Sequence, residues 1–209
     1  MKRGEVKIST EGYLREVLDD FPKEITGRVK TLAAKHLFEV RSGKEQVILD
    51  KPRARAFHHS ATQLLFTLTR LRKDIHKAVA FLTTRVRSPG EDERKKLRRL
   101  LQYVKSTIRM LLRLSADKLN VVKWWVDASY AAHNDMRRHN GATMSLGRGS
   151  VLSMSKKQKI NTKSSIKAEL IRADNALPQI MWTKYFIEAH GYGIDKNIMY
   201  QDNLSAMLL

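Results

Sequence analysis

Three carboxylates, Asp127, Glu169 and Asp202, stand in this 209-residue chain at the ends of segments able to bring them together. Asp127 closes Val121-Val122-Lys123-Trp124-Trp125-Val126-Asp127, a strand-like run of β-branched and aromatic residues, and Ala128-Ser129 begins a turn. Asp202 closes a second run, Asn197-Ile198-Met199-Tyr200-Gln201-Asp202. Glu169 lies near the start of a helix opened by Ser164-Ser165, 42 positions after Asp127 and 33 before Asp202. Carboxylates that converge repel one another until a cation neutralises them, and hard oxygen donors suit Mg²⁺ or Mn²⁺ rather than zinc. Two such ions about 4 Å apart would let one generate hydroxide and the other stabilise a leaving 3′ oxygen in phosphodiester hydrolysis. By composition alone, three acids among 21 Asp and Glu are ordinary surface charges. The local sequence sets these three apart.

Other residues with chemical potential read as structural. His58-His59, His133 and His139 have no partner at metal-ligand spacing. Gly147-Arg148-Gly149 joins two short strands as a hairpin turn and is not a phosphate loop, because no helix follows it. Trp124 and Trp125 alternate faces of one strand, one toward a core and the other available to lie under a helix. Asp19-Asp20 sits on an amphipathic helix and reads as surface.

The elements that must position these groups follow from periodicity. Glu5 to Ser9 is a short strand, and a helix from about Thr10 to Leu18 puts Tyr13, Leu14, Val17 and Leu18 on one face. Residues 23–50 lack periodicity, carry Gly27 and Gly43, and read as a long connection. Three helices fill 51–113. In the first, Phe57, Ala61, Leu64, Leu65, Leu68 and Leu71 recur at three and four; in the second, Ile75, Val79, Leu82 and Val86 follow Asp74 as a possible cap. The third starts at Ser88-Pro89-Gly90-Glu91-Asp92-Glu93, with Ser88 as the cap, and Leu97, Leu100, Leu101, Val104, Ile108, Leu111 and Leu112 form its buried stripe.

A net charge of +19 is concentrated in the middle of the chain. Residues 51–113 hold 17 basic and 4 acidic side chains, against 10 and 9 in 1–50 and 13 and 7 in 118–209. On the third helix Arg94, Lys95, Arg98, Arg99 and Lys105, with Lys96 and Arg109, make a face with no acid between Glu93 and Asp117. Such a face attracts a phosphate backbone without reading sequence, and the attraction weakens with salt. Lys156, Lys157 and Lys159 form a second basic edge. The chain has no cysteine, so disulfides and thiolate zinc sites are excluded. No signal-length apolar core follows Met1-Lys2-Arg3, and no run approaches the ~18 apolar residues of a membrane span. The expectation is a soluble intracellular protein, cytoplasmic or nuclear, with no membrane partner.

Five blocks after Val121 carry a resemblance: Val126-Asp127-Ala128-Ser129-Tyr130-Ala131; Met144-Ser145-Leu146-Gly147-Arg148-Gly149; Ser155-Lys156-Lys157-Gln158-Lys159; Thr162-Lys163-Ser164-Ser165 with Ala168-Glu169; and Tyr200-Gln201-Asp202-Asn203-Leu204-Ser205-Ala206. In that order they resemble the ribonuclease H domain of copia-type retrotransposon polyproteins. The resemblance implies a three-strand antiparallel meander, a helix, a fourth strand parallel to the first and a closing helix. It gives Asp127, Glu169 and Asp202 the family's first three metal-ligand positions. Phe57-His58-His59, Leu64-Leu65-Phe66, Arg72-Lys73-Asp74-Ile75, Ala78 to Leu82, Pro89 and Leu97 to Lys105 resemble, more loosely, the thumb and connection end of the copia-type reverse transcriptase.

The fold class expected is therefore α+β with α/β character: a mainly helical region over 1–117 and an incomplete ribonuclease H-like mixed sheet with helices over 118–209. The implied activity is metal-dependent hydrolysis of the RNA strand of RNA/DNA hybrids, with Mg²⁺ or Mn²⁺ as cofactor and other parts of a retroelement polyprotein as possible partners. The polymerase Asp-Asp signature does not occur in its context, so polymerase activity is not expected. The chain stops before the family's fourth metal-site position, and Lys167 stands where a capping glutamate is usual, Lys73 where proline is usual. Pro178 should kink or split the helix carrying Glu169 after Leu177. The alternative is a non-catalytic, basic nucleic-acid-binding remnant of a retroelement polyprotein; an integrase-like relative of the same superfold fits the blocks around Glu169 and Asp202 less well.

Overall fold

The computed structural model describes residues 4–21, 25–33, 37–40, 47–129, 139–157 and 165–201; the side chains of 127–129, 139–140, 155–157, 165–170 and 172 lie outside the described set. Two compact units divide the chain, Ile8–Leu112 and Met1–Lys7 together with Arg113–Leu209.

In the helical unit, α1 (Glu11–Asp19) is followed by α2 (Lys51–Arg70), a 3₁₀ turn (Lys73–Ile75), α3 (His76–Thr83) and α4 (Glu91–Ser106). Asp50 caps α2 by accepting the Arg53 N–H at 3.0 Å, and Pro52 sits in the first turn where its missing donor is not needed. Leu14, Val17, Phe57, Leu64, Leu68, Val79, Leu82, Leu97, Leu100 and Val104 bury one core at the expected three-and-four spacing. The segment read as a bare connection also enters it. Ile25, Leu37 and Leu49 are buried, and Leu49 donates its N–H to Pro89 while Glu91 donates to Val47, so an extended piece closes the start of α4.

Four helical expectations need correction. Gly90, not Ser88, precedes the first turn of α4, and the Glu93 carboxylate reaches back to the Gly90 N–H at 2.9 Å, one half of a capping box. Asp74 makes no cap; its carboxylate takes a fork of hydrogen bonds from Arg72 at 2.9 and 2.7 Å. Leu65 lies 39% exposed rather than on the buried face. Finally, α4 ends at Ser106, because Thr107 turns out of the helix to accept from Arg72 at 2.8 Å. Leu111 is exposed, and Leu112 opens a strand.

The second unit is a mixed sheet with one long helix. A small sheet joins β1 (Val6–Ile8), β2 (Leu112–Ala116) and β5 (Gly147–Arg148) in the order β1-β2-β5. Gly147-Arg148 is thus a short paired strand rather than only a turn. A Cβ on Gly149, whose φ is +79°, would meet the Arg113 carbonyl oxygen at 2.1 Å, so glycine is needed for the close approach. The main sheet runs β6-β4-β3-β7, with β3 (Val121–Ser129), β4 (His139–Ser145) and β6 (Leu152–Lys157) as an antiparallel meander and β7 (Lys196–Tyr200) parallel to β3. Between β6 and β7 runs α5 (Ser165–Ala189), the crossover that a parallel neighbour requires. Its Ala176 and Ile180 pack on Val122, Trp124, Val126, Ala142 and Met144. Pro178 does not split α5, which continues for 25 residues; the proline is exposed, where a carbonyl freed of its helical donor can be solvated. The class is α+β, and the strand order and the parallel fourth strand are consistent with the ribonuclease H-like arrangement.

Candidate metal centre

Strand alternation decides what each side of the sheet presents. Val122, Trp124 and Val126 face α5 and are buried, whereas Lys123 is half-buried and Trp125 is 44% exposed on the opposite side. Trp124 is the core tryptophan. Trp125 instead stacks on Tyr200 of β7, with ring centroids 5.3 Å apart and planes 21° from parallel. On the same face Thr143 and Ser153 share a hydroxyl contact at 3.3 Å, and Ser153 meets Ser150 at 2.9 Å. The Thr143–Ser153 pair was not legible in the sequence, since it depends on the β4–β6 register.

Asp127 lies in β3 with its backbone opposite Gly141, and the strand continues through Ala128 and Ser129, paired with Asn140 and His139, rather than ending at the carboxylate. Glu169 is the fifth residue of α5. The β3–β7 ladder pairs Val121 with Lys196 through Trp125 with Tyr200 at a constant offset of 75 positions, the same number that separates Asp127 from Asp202. Asp202 itself, and the side chains of Asp127 and Glu169, lie outside the described residues. Among the described residues, no group of three or more His, Cys, Asp or Glu gathers as a metal site.

Most of the basic side chains of α4 have specific partners. Arg94 pairs with Glu91 at 3.6 Å. Arg98 and Arg99 donate to the hydroxyls of Thr26 and Thr31 at 3.4 and 2.9 Å, and Lys105 donates to the Ile25 carbonyl at 2.7 Å. Hydroxyls and carbonyls hold these cations without neutralising them, so their field persists while their donors are partly occupied. Lys95 is exposed. Lys96 is buried, bonded to Asp92 at 2.7 Å and to the Glu39 carbonyl, with its ammonium 5.3 Å from the Phe81 ring centre. Lys156 and Lys157 lie in β6 with side chains outside the described residues, and Lys159 lies wholly outside them. His58 is exposed, and His59 contacts Asp20 at 3.4 Å; His133 and the His139 side chain lie outside the described residues.

Over 203 residues, 96% of this chain, the sequence is 25% identical to the retrovirus-related Pol polyprotein from transposon TNT 1-94 of Nicotiana tabacum. The chain spans 15% of that polyprotein's length. No family model and no solved structure matches the chain. The match supports a retroelement-derived protein related to a retrotransposon Pol polyprotein. Among the described residues no helix is long and apolar enough to cross a membrane.

Proposed function

We propose that this chain hydrolyses the RNA strand of RNA/DNA hybrids, with Asp127, Glu169 and Asp202 holding Mg²⁺ or Mn²⁺. The observation that supports the reading is the parallel β3–β7 ladder from Val121–Lys196 to Trp125–Tyr200, whose 75-residue offset equals the separation of Asp127 and Asp202 in the sequence. Neighbouring parallel strands run about 4.8 Å apart. Were Asp127 and Asp202 held at such a spacing, their carboxylates would repel by ~1 kcal/mol in water and several-fold more where solvent is excluded. Glu169, in the first turns of the crossover helix, adds a third negative charge. A set of hard oxygen donors of this kind fits Mg²⁺ or Mn²⁺ and gives no soft ligand to zinc.

When bound, the divalent ions would activate the attacking water and stabilise charge on the departing oxygen. The chain's part is to hold its carboxylates ionised and aimed at one point. In the hydrolysis water oxygen bonds to phosphorus, the bond from phosphorus to the 3′ oxygen breaks, and that oxygen takes up a proton. Discrimination of RNA from DNA rests on the 2′-hydroxyl, and the remaining contacts are with phosphates. We assign Lys156, Lys157 and Lys159 to contacts with the hybrid's backbone. Arg94, Lys95, Arg98, Arg99 and Lys105 contribute attraction from the helical unit, which we read as thumb and connection-like. Other parts of a retroelement polyprotein are the proposed protein partners, and polymerase activity is not expected.

The test is cleavage of an end-labelled RNA/DNA hybrid with Mg²⁺ by the intact chain and by Asp127→Asn. Metal-dependent cleavage lost in the variant supports the reading. Equal activity in both removes it, and salt-sensitive binding by an intact chain that never cleaves replaces it with the non-catalytic, basic nucleic-acid-binding remnant.

A further inference from the structure

Over its twenty residues α2 contains no aspartate or glutamate. Its first two turns set Lys51, Ala54, Arg55 and His58 at spacings of three and four, hence on one face. Together with Val86 these residues line an open concavity of about 230 Å³. The acids nearest in sequence are already committed elsewhere, Asp50 to Arg53 at 3.1 Å, and Glu91 to Arg53 and Arg94. Among the described residues, Lys51 and Arg55 have no ion pair.

We propose that this concavity is a phosphate-binding subsite for the backbone of a nucleic acid. The proposal extends the nuclease reading to the helical unit, and rests on it only for the choice of nucleic acid as the polyanion. From Lys51 to His58 the helix rises about 10 Å, while each strand of a duplex presents a phosphate about every 3.4 Å of axis. The face therefore meets two or three successive phosphates. The Lys51 ammonium and the Arg55 guanidinium supply the charge, His58 supplies a ring nitrogen, and the α2 N-terminus adds its positive dipole end. Ala54 and Val86 form an apolar floor too small to insert into lipid, so a soluble polyanion fits better than a membrane surface. This site differs from the basic face of α4, where Arg98, Arg99 and Lys105 already spend donors on Thr26, Thr31 and Ile25. Among the described residues, no such partner occupies Lys51 or Arg55 on α2.

The experiment measures fluorescence anisotropy of a labelled RNA/DNA hybrid with the full chain across a KCl series, in EDTA so that cleavage plays no part. The Lys51→Gln/Arg55→Gln double variant is expected to bind more weakly. The slope of log affinity against log salt should fall by about 1.8, at roughly 0.9 per lost phosphate contact. Lys51→Arg/Arg55→Lys, which keeps both charges, should retain most of the slope. A comparison variant, Arg15→Gln/Lys184→Gln, removes the same charge elsewhere and should retain it too. An unchanged slope in the first variant, or an equal fall in the comparison variant, overturns the subsite. So does binding to phosphatidylserine vesicles that the first variant loses while its hybrid affinity stays intact. Because no metal is present, these outcomes are independent of whether Asp127 supports hydrolysis.

Discussion

The two units hold negative charge in opposite ways. In the helical unit Asp74 is met by a cation that the chain itself supplies: Arg72, 2% exposed, forks onto it, and the Tyr103 hydroxyl donates at 3.1 Å. Burial alone would raise the Asp74 carboxyl, but the hydrogen bonds and charge of Arg72, with Tyr103, outweigh it and hold the group below its ordinary value. The sheet unit instead carries Asp127, Glu169 and Asp202 in a pattern that, on our proposal, gathers carboxylates and leaves their neutralisation to ions from solution. On that proposal, the contrast separates a carboxylate that stabilises the fold from carboxylates that await a ligand. Acids of the first kind should matter to stability, and acids of the second to metal and substrate.

The comparison is broken most severely by removing the internal partner. Asp74→Ala leaves the Arg72 guanidinium buried and unpaired and should cost about 3–5 kcal/mol in urea unfolding of the helical unit. The same pair gives a pH signature. A carboxyl depressed in the folded state contributes stability that is present above its unfolded value and is lost as pH falls through its folded value. Acid titration of the intact chain should show that loss, and Asp74→Asn should flatten it. Next in size is a metal effect confined to the other unit. Mg²⁺ at about 100 times its dissociation constant should stabilise the intact chain by about 2.7 kcal/mol. Asp127→Asn should lose this gain while changing stability little without metal, and thermal melts with and without Mg²⁺ measure both. Gly149→Ala, which drives a Cβ against the Arg113 carbonyl at positive φ, should cost about 1–3 kcal/mol in the sheet unit and leave the helical unit's transition in place. The smallest effect is expected from Asp50→Ala: loss of the α2 cap should lower the helical unit's urea midpoint slightly, with hybrid cleavage unchanged.

Legibility differed along the same division. The sheet's strands and crossover helix followed from alternation, from β-branched runs and from the resemblance, and α1 to α4 from the recurrence of leucine, valine and phenylalanine. What escaped was non-local. Ile25, Leu37 and Leu49 sit in a segment without periodicity, so their burial depends on partners in α4 and around Pro89 that no local pattern reveals. Ile108, Leu111 and Leu112 continue helical spacing, but α4 ends where Thr107 is bonded to Arg72, 35 residues away in sequence. Lys96 resembled its basic neighbours, and only its Asp92 partner stands at a readable i, i+4 spacing; the Glu39 carbonyl does not. In the candidate centre the acids could be picked out by type and context, whereas the offset of 75 is a property of the paired strands. That Lys51 and Arg55 have no ion pair among the described residues was hidden for a related reason, because a sequence does not say which of many basic residues find internal partners.

The most direct measurement is paramagnetic broadening by Mn²⁺ of backbone amide signals in the isotopically labelled chain. If the carboxylates converge, signals around 127, 169 and 202 broaden together at low Mn²⁺, Mg²⁺ restores them by competition, and Asp127→Asn abolishes the effect. Broadening at only one of the three positions, or spread evenly over the acidic surface, would contradict the shared site.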